Sequence, residues 1–256
     1  MKKYKTDIVI NDILNTDTEY IDALKETGVR VINFEDLGPG MNNADACINC
    51  LYEGEKKENV YWGSDYFLIR DEFVIAKPKE FSDKVNEILV LFGGTDPNNL
   101  TEKTVKALMN ISDNVHITVI LGMGYNRYDA ISALVENVKN ITVVKDVKLM
   151  TEYMQKADIA VSSQGRTMLE LAAMGVPTIL MSQNAREANH EFGSIRNGFL
   201  NLGSGNKVEI NTIYETIQWL IACPQIRKNM HMQMLEKDLM HGMKRVKKII
   251  LGENND

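Results

Sequence analysis

Short apolar runs alternate along the chain with longer stretches whose apolar residues return every three or four positions. That alternation predicts βαβ units and a mostly parallel sheet. The first run, DIVIN at 7–11, is followed by a helix expected over 17–26 and closed by Gly28 as its cap. Further strands are expected at 31–34, 46–49 and 66–69. The stretch AKPKEFSDKVN (76–86) is polar, carries a proline and has no strong apolar period, so it reads as a linker.

A second series follows. EILVLF at 87–92 is nearly all apolar, as a strand covered on both faces must be. It runs into Gly93-Gly94-Thr95-Asp96-Pro97 and a helix over 98–109. A strand at 115–121, the turn Gly122-Met123-Gly124 and a helix over 128–138 come next. Then a strand at 141–145 precedes a short helix at 148–156, and a strand at 158–162 feeds Ser163-Gln164-Gly165 and a helix to 174. A strand at 177–181, a helix over 187–197 and a short strand at 199–202 complete the alternation, and helices over 211–222 and 225–251 close the chain. The expected fold class is α/β with two Rossmann-type domains. Residues 1–77 form a partial one and residues 78–256 a complete doubly wound one.

Composition narrows the function classes. The chain has 256 residues, 44% apolar and 25% charged, an ordinary globular balance. The formal net charge is −6, and the one basic cluster, Lys244 to Lys248, reads as a solvated last helical turn, so nucleic acid is not an expected partner. No run approaches the roughly 18 apolar residues of a membrane span. With an odd count of three cysteines, a reducing cytoplasmic setting is expected, and Cys47-x-x-Cys50 inside ACINCLY reads as packed strand.

Candidate chemistry gathers at the loops that lead from strand to helix. In open α/β sheets ligands bind beyond the carboxyl ends of strands, where unpaired amides and the helix dipole favour an anion. Three such loops stand out: Gly93, Gly94, Thr95 and Asp96; Gly122 and Gly124; and Ser163, Gln164, Gly165, Arg166 and Thr167. Each alone is a tight turn; three at one sheet edge suggest a phosphate site. Arg127 stands where a dinucleotide fingerprint needs its third glycine, which argues against NAD. Helix starts that carry phosphate make no demand for a metal, and no cofactor is expected. Glu170, one turn into the helix that starts at Gly165, is placed to accept two hydroxyls of a ribose.

SSQGRTMLELAAMGVP (162–177) resembles the signature of GT-B nucleotide-sugar enzymes of the MurG type. In those the diphosphate meets the Ser/Gly loop and the glutamate binds the ribose, which the resemblance carries to Ser163–Thr167 and Glu170 here. FGGTD (92–96), YFLIRDEF (66–73) and NFEDLGPG (33–40) are similar to the PseG/SpsG group, UDP-sugar hydrolases of pseudaminic-acid synthesis and their spore-coat polysaccharide relatives. NAREANHEF (184–192) resembles the segment that faces the donor sugar, and brings in Asn189 and His190.

The resemblance spans essentially the whole chain and implies a GT-B-like fold whose closing helix crosses back to the first domain. It implies hydrolysis of a UDP-amino-sugar at the anomeric carbon in surface polysaccharide or nonulosonic acid synthesis, with His190 as the candidate general base. The alternatives are glycosyl transfer from the same donor site, or binding without turnover. The hydrolases open with a Gly-rich loop bearing a histidine, whereas the four histidines here, His116, His190, His231 and His241, all lie downstream. The chain is therefore expected to be either a piece of a longer protein, fused to or partnered by a sugar cytidylyltransferase, or a natural short form.

Overall fold

The computed structural model describes residues 5–253, so the outer residues of the expected domains, 1–4 and 254–256, lie outside the described residues. In chain order the elements are β1 (Ile8–Asn11), α1 (Thr18–Lys25), β2 (Arg30–Phe34), β3 (Ala46–Asn49), β4 (Val60–Trp62) and α2 (Asp71–Ile75). Then come β5 (Glu87–Leu91), α3 (Leu100–Leu108), β6 (His116–Leu121), α4 (Tyr128–Val135), β7 (Ile141–Lys145), α5 (Thr151–Met154), β8 (Ile159–Ser163) and α6 (Thr167–Ala173). β9 (Thr178–Ser182), β10 (Phe199–Ser204), α7 (Ile210–Ala222), α8 (Pro224–Leu235) and α9 (Gly242–Leu251) end the chain. Two compact units result: residues up to Ile69 together with those from Asp238 on, and Arg70–Lys237. Segment 70–77 and the closing helix thus fall on the other side of the 1–77/78–256 division that the sequence suggests.

The first unit is a parallel four-stranded sheet in the order β1-β2-β3-β4. Alternate residues of β2 face opposite ways. Ile32 and Phe34 pack with Ile48 and with Val246 and Ile249 of α9, whereas Val31 packs with Ile21 of α1, Val29 and Ala44. Both faces are covered, so four consecutive residues of the strand, Val31 to Phe34, are buried. At the carboxyl end the fully buried Asp36 accepts hydrogen bonds from the Thr16 and Gly38 amides and from Asn33 Nδ2. The NFEDLGPG run is thus a cross-link between loops. The Cys47 and Cys50 side chains are buried, the Cys50 thiol donates to Glu35 Oε1, and burial pushes the Cys47 thiol up to about 12.

Two expectations for this unit need correction. No strand forms over 66–69. The edge strand is β4, followed by Gly63 at φ 93° and a 3-10 turn at Ser64–Tyr66, and Tyr66 and Leu68 pack sideways on the core instead of pairing. The helix expected over 225–251 is broken between α8 and α9. Gly242, the first residue of α9, lies so close to the Phe67 backbone carbonyl that no side chain fits, and Asp238 ahead of it pairs with His241 and Arg245.

The second unit is a six-stranded parallel sheet in the order β10-β9-β8-β5-β6-β7. The chain moves from β5 outward through β6 and β7, then returns to the far side of β5 for β8, β9 and β10. The loops after β5 and β8 therefore run in opposite directions and open a crevice at their carboxyl ends. Ile88, Val90, Val119, Val161 and Ile179 fill the core beneath it. Segment 76–86 is irregular but not a free linker. The Lys79 amide donates to the Met174 carbonyl, Lys79 Nζ pairs with Asp158 at 2.8 Å, and buried Arg227 donates to the Ser82 and Asp83 carbonyls. The helix expected over 187–197 is instead two 3-10 turns, Glu187–Asn189 and Ile195–Asn197, the second closed by Gly198 at φ 84°. Among the described residues no helix is long and apolar enough to cross a membrane.

Candidate functional site

The crevice between β5 and β8 is where three of the predicted loops meet. After β5 the chain turns at Gly93 (φ 74°), and the Gly124 amide of the neighbouring loop donates to the Gly94 carbonyl at 3.0 Å. Gly122 is needed for this approach. A Cβ there would lie 2.6 Å from Gly94 Cα and closer still to the Gly93 and Gly94 carbonyl oxygens. At Gly94 itself an added Cβ would meet nothing within 4 Å, so the space above that glycine is open.

Two cavities lie over these loops. The larger, about 490 Å³, has apolar walls from Leu91, Ile120, Leu121, Met123, Val147 and Met150, with Glu170 and Arg70 also lining it. The smaller, about 330 Å³, is lined by Thr95, Ser163, Gly165, Arg166, Gln183 and Glu187. Gly93, Gly94 and Thr167 line both, so the two are compartments of one site. An apolar slot suits a planar ring. Backbone-rich glycine loops with hydroxyls and an arginine suit an anion.

Glu170 stands in the first turn of α6 and lines the larger compartment. Both its oxygens are engaged by one guanidinium: Arg70 Nε reaches Oε1 at 2.7 Å and Nη2 reaches Oε2 at 3.1 Å. Burial pushes the Glu170 carboxyl above the usual carboxylate range, against the pull of Arg70. Burial lowers Arg70 in turn, but the hydrogen bonds and charge of Glu170 more than offset it and leave the guanidinium raised. A glutamate this buried and paired does more than complement a helix dipole.

Glu187 supplies a carboxylate to the smaller compartment. Its Oε2 accepts the Gln183 amide at 2.8 Å. Burial raises its pKa, opposed by hydrogen bonds from the Gln183 and Gln164 backbone and the Ser163 hydroxyl. A carboxylate here repels a bound anion, and protonation relieves that repulsion. Glu187→Gln is therefore expected to tighten pyrophosphate binding at neutral pH. The gain over wild type, taken at equal pH so that the ligand's own ionisation cancels, should shrink as pH falls through the raised pKa of Glu187. Calorimetry from neutral to acidic pH checks this; a pH-independent ratio would show that Glu187 does not face the anion.

Of the residues singled out in the sequence, Gly93, Gly94, Thr95, Gly122, Ser163, Gly165, Arg166, Thr167 and Glu170 line the joined cavities. Five stand elsewhere. Asp96 turns inward at φ 44° and accepts the Leu100 and Thr101 amides, capping α3. Gly124 serves the loop contact, and Asn189 is exposed. Gln164 donates to the His190 carbonyl, and His190 Nδ1 lies 2.6 Å from the Gln164 carbonyl oxygen. Donation by Nδ1–H to that carbonyl assigns the tautomer. His190 is 4% exposed, and burial lowers its pKa, so the imidazole is neutral near pH 7. Sequence reading missed Arg70, Gln183, Glu187 and the apolar wall. Leu91, Ile120 and Leu121 look like ordinary strand ends, and no local pattern separates them from core.

Comparison with known proteins bears on this site. Residues 88–192 match the family model "Glycosyltransferase family 28 C-terminal domain", which contains all three loops and Glu170. The chain is 29% identical over 202 residues to the uncharacterized protein MJ1062 of Methanocaldococcus jannaschii, covering 72% of this chain but only 42% of that protein's length. It is 25% identical over 244 residues to the spore coat polysaccharide biosynthesis protein SpsG of Bacillus subtilis, covering 90% of this chain and 72% of SpsG. Among solved structures, MurG of Acinetobacter baumannii superposes with a TM-score of 0.76 at 16% identity, over 98% of this chain and 75% of that one. The UDP-GlcNAc 2-epimerase of Neisseria meningitidis bound to UDP-GlcNAc does so at 0.67 and 15% identity, over 98% and 78%. At such identities the likeness is one of fold: α/β, with two Rossmann-like parallel sheets in one chain, close to GT-B proteins such as MurG.

Proposed function

We propose that the unit Arg70–Lys237 binds a nucleotide sugar. The base occupies the apolar compartment, the ribose meets Glu170, and the diphosphate lies against Gly93–Thr95 and Ser163–Thr167. The observation that carries this reading is the joining of an apolar-walled cavity of about 490 Å³ to a polar one through Gly93, Gly94 and Thr167, with a carboxylate lining the apolar compartment. A UDP-sugar is the favoured ligand, supported by the UDP-GlcNAc held by the epimerase of like fold. The SpsG relationship supports a place in polysaccharide biosynthesis.

The reaction in this reading is cleavage at the anomeric carbon. In hydrolysis, water attacks that carbon, a base takes the water's proton, and UDP departs with the electron pair of the glycosidic bond. His190, the base that the resemblance suggests, is buried outside both compartments with its Nδ1 against the Gln164 carbonyl, so this reading assigns the base to no residue; loop amides receive the charge of the leaving diphosphate. The match to the glycosyltransferase family 28 model favours a second reading, in which a sugar hydroxyl replaces water as the nucleophile.

Calorimetric titration is the test. UDP is expected to bind more tightly than UMP, and UMP more tightly than uridine, because each phosphate adds contacts in the smaller compartment. No heat and no thermal shift at millimolar UDP would sink the reading. UDP release from UDP-sugars, with and without a sugar acceptor, then separates hydrolysis from transfer.

A further inference from the structure

The geometry points to Arg70 as the residue that positions Glu170 for ribose, holding its carboxylate in one orientation so that an unused lone pair faces the cavity. The inference rests on the nucleotide reading above. A carboxylate offers about four acceptor directions, two on each oxygen. The Arg70 fork takes one on each, at 2.7 and 3.1 Å, and leaves one on each. Those two diverge to opposite sides of the rigid group, so one of them can accept from a ribose hydroxyl in the cavity.

Arg70 is itself fixed. Its Nη1 pairs with Glu72 Oε1 at 2.8 Å, and its guanidinium lies 5.1 Å from the centre of the Phe73 ring. The other oxygen of Glu72 accepts the Thr151 amide at the start of α5. The chain Thr151–Glu72–Arg70–Glu170 therefore ties the wall of the slot to the ribose acceptor.

Charge matters as well as direction. Burial favours the protonated carboxyl of Glu170, Arg70 and Arg166 favour the ionised form, and Glu72 opposes it; Asp146 and Lys148 line the same cavity. Without Arg70 the carboxyl keeps its proton to higher pH. A protonated carboxyl loses acceptor directions.

The test uses the full chain with UDP and 2′-deoxy-UDP from about pH 5 to about pH 8, a span above the ordinary glutamate pKa. Arg70→Gln is expected to weaken UDP binding near neutral pH by roughly tenfold, the scale of a charge-assisted hydrogen bond. The deficit relative to wild type should shrink as pH rises, and the preference for UDP over the deoxy ligand should fall. Arg70→Lys should restore much of the pH profile, because the charge returns, but little of the ribose preference, because the fork does not. Carbon NMR of the Glu170 carboxyl follows the hold without any ligand and should show its titration moving up in Arg70→Gln. Unchanged or tighter UDP binding in that variant, with the ribose preference kept, would overturn the proposal and make Arg70 a plug that ribose displaces. An unmoved Glu170 titration would overturn it too. Failure of the wild-type chain to bind UDP would instead overturn the nucleotide reading on which it rests.

Discussion

Gly122→Ala is expected to abolish most nucleotide binding and to lower the melting temperature by about 4–8 °C. The cause is steric. Gly122 needs no special φ, but its Cα faces the backbone of Gly93 and Gly94, and a methyl group would have to displace the whole β5 loop. Backbone cannot rotate away as a side chain can, so about 2 kcal/mol of overpacking is a reasonable scale. In a chain of this size each kcal/mol moves the midpoint by about 2–4 °C. The displaced loop loses the bond from the Gly124 amide to Gly94 and shifts residues that line both compartments. UDP affinity should drop by at least about tenfold, or roughly 1.4 kcal/mol. Gly94→Ala separates ligand approach from packing. Its Cβ meets nothing in the free protein, so the melting temperature should hold while UDP affinity falls. Unimpaired UDP binding in Gly122→Ala would remove the β5 loop from the site.

Glu170→Ala should weaken UDP binding by about 1–3 kcal/mol, the cost of losing hydrogen bonds to a charged acceptor, and should erase the preference for UDP over 2′-deoxy-UDP. From sequence alone the same change is expected to leave folding nearly untouched, since a carboxylate in the first turn offers a helix only about 0.3–1 kcal/mol. The structure revises that expectation. Glu170 is buried in a forked pair with Arg70, so its removal leaves the guanidinium with Glu72 alone. Arg70 is half exposed and water recovers part of the loss, which keeps the penalty below that of a fully buried pair. The pH dependence carries a definite sign. A carboxyl whose folded pKa is raised binds its proton more tightly folded than unfolded, so it lowers stability as pH rises from the ordinary carboxylate range through the raised value. Glu170→Gln should flatten that decline in denaturant melts taken across the window. Retained affinity with collapsed stability would make Glu170 structural only.

Local chemistry in the chain determined a good deal. EILVLF had to be a strand covered on both faces, because no amphipathic element leaves so many consecutive apolar residues, and β5 is that strand. Gly28, Gly93 and Gly175 take positive φ at turns where a side chain would strain the backbone, and such punctuation fixes where elements end. Solvation of faces and turn sterics act within a few residues, so order and loops are readable from them.

Tertiary structure decided the rest. The Arg70–Glu170 pair joins residues one hundred positions apart, and nothing near either one signals the other. The apolar slot exists only because β5, β6 and the loop after β7 converge, and Leu91 and Ile120 are indistinguishable from core until they do. Asp96 belongs by sequence to a ligand loop, yet the unpaired amides of Leu100 and Thr101 capture its carboxylate. Helical periodicity continues through residues 225–251, but the chain breaks after Leu235 and starts a new helix at Gly242, which packs too close to the Phe67 backbone for any side chain. In each case the local pattern allowed several outcomes of similar energy. The choice fell to contacts between segments distant in sequence, which form only when the whole unit is packed.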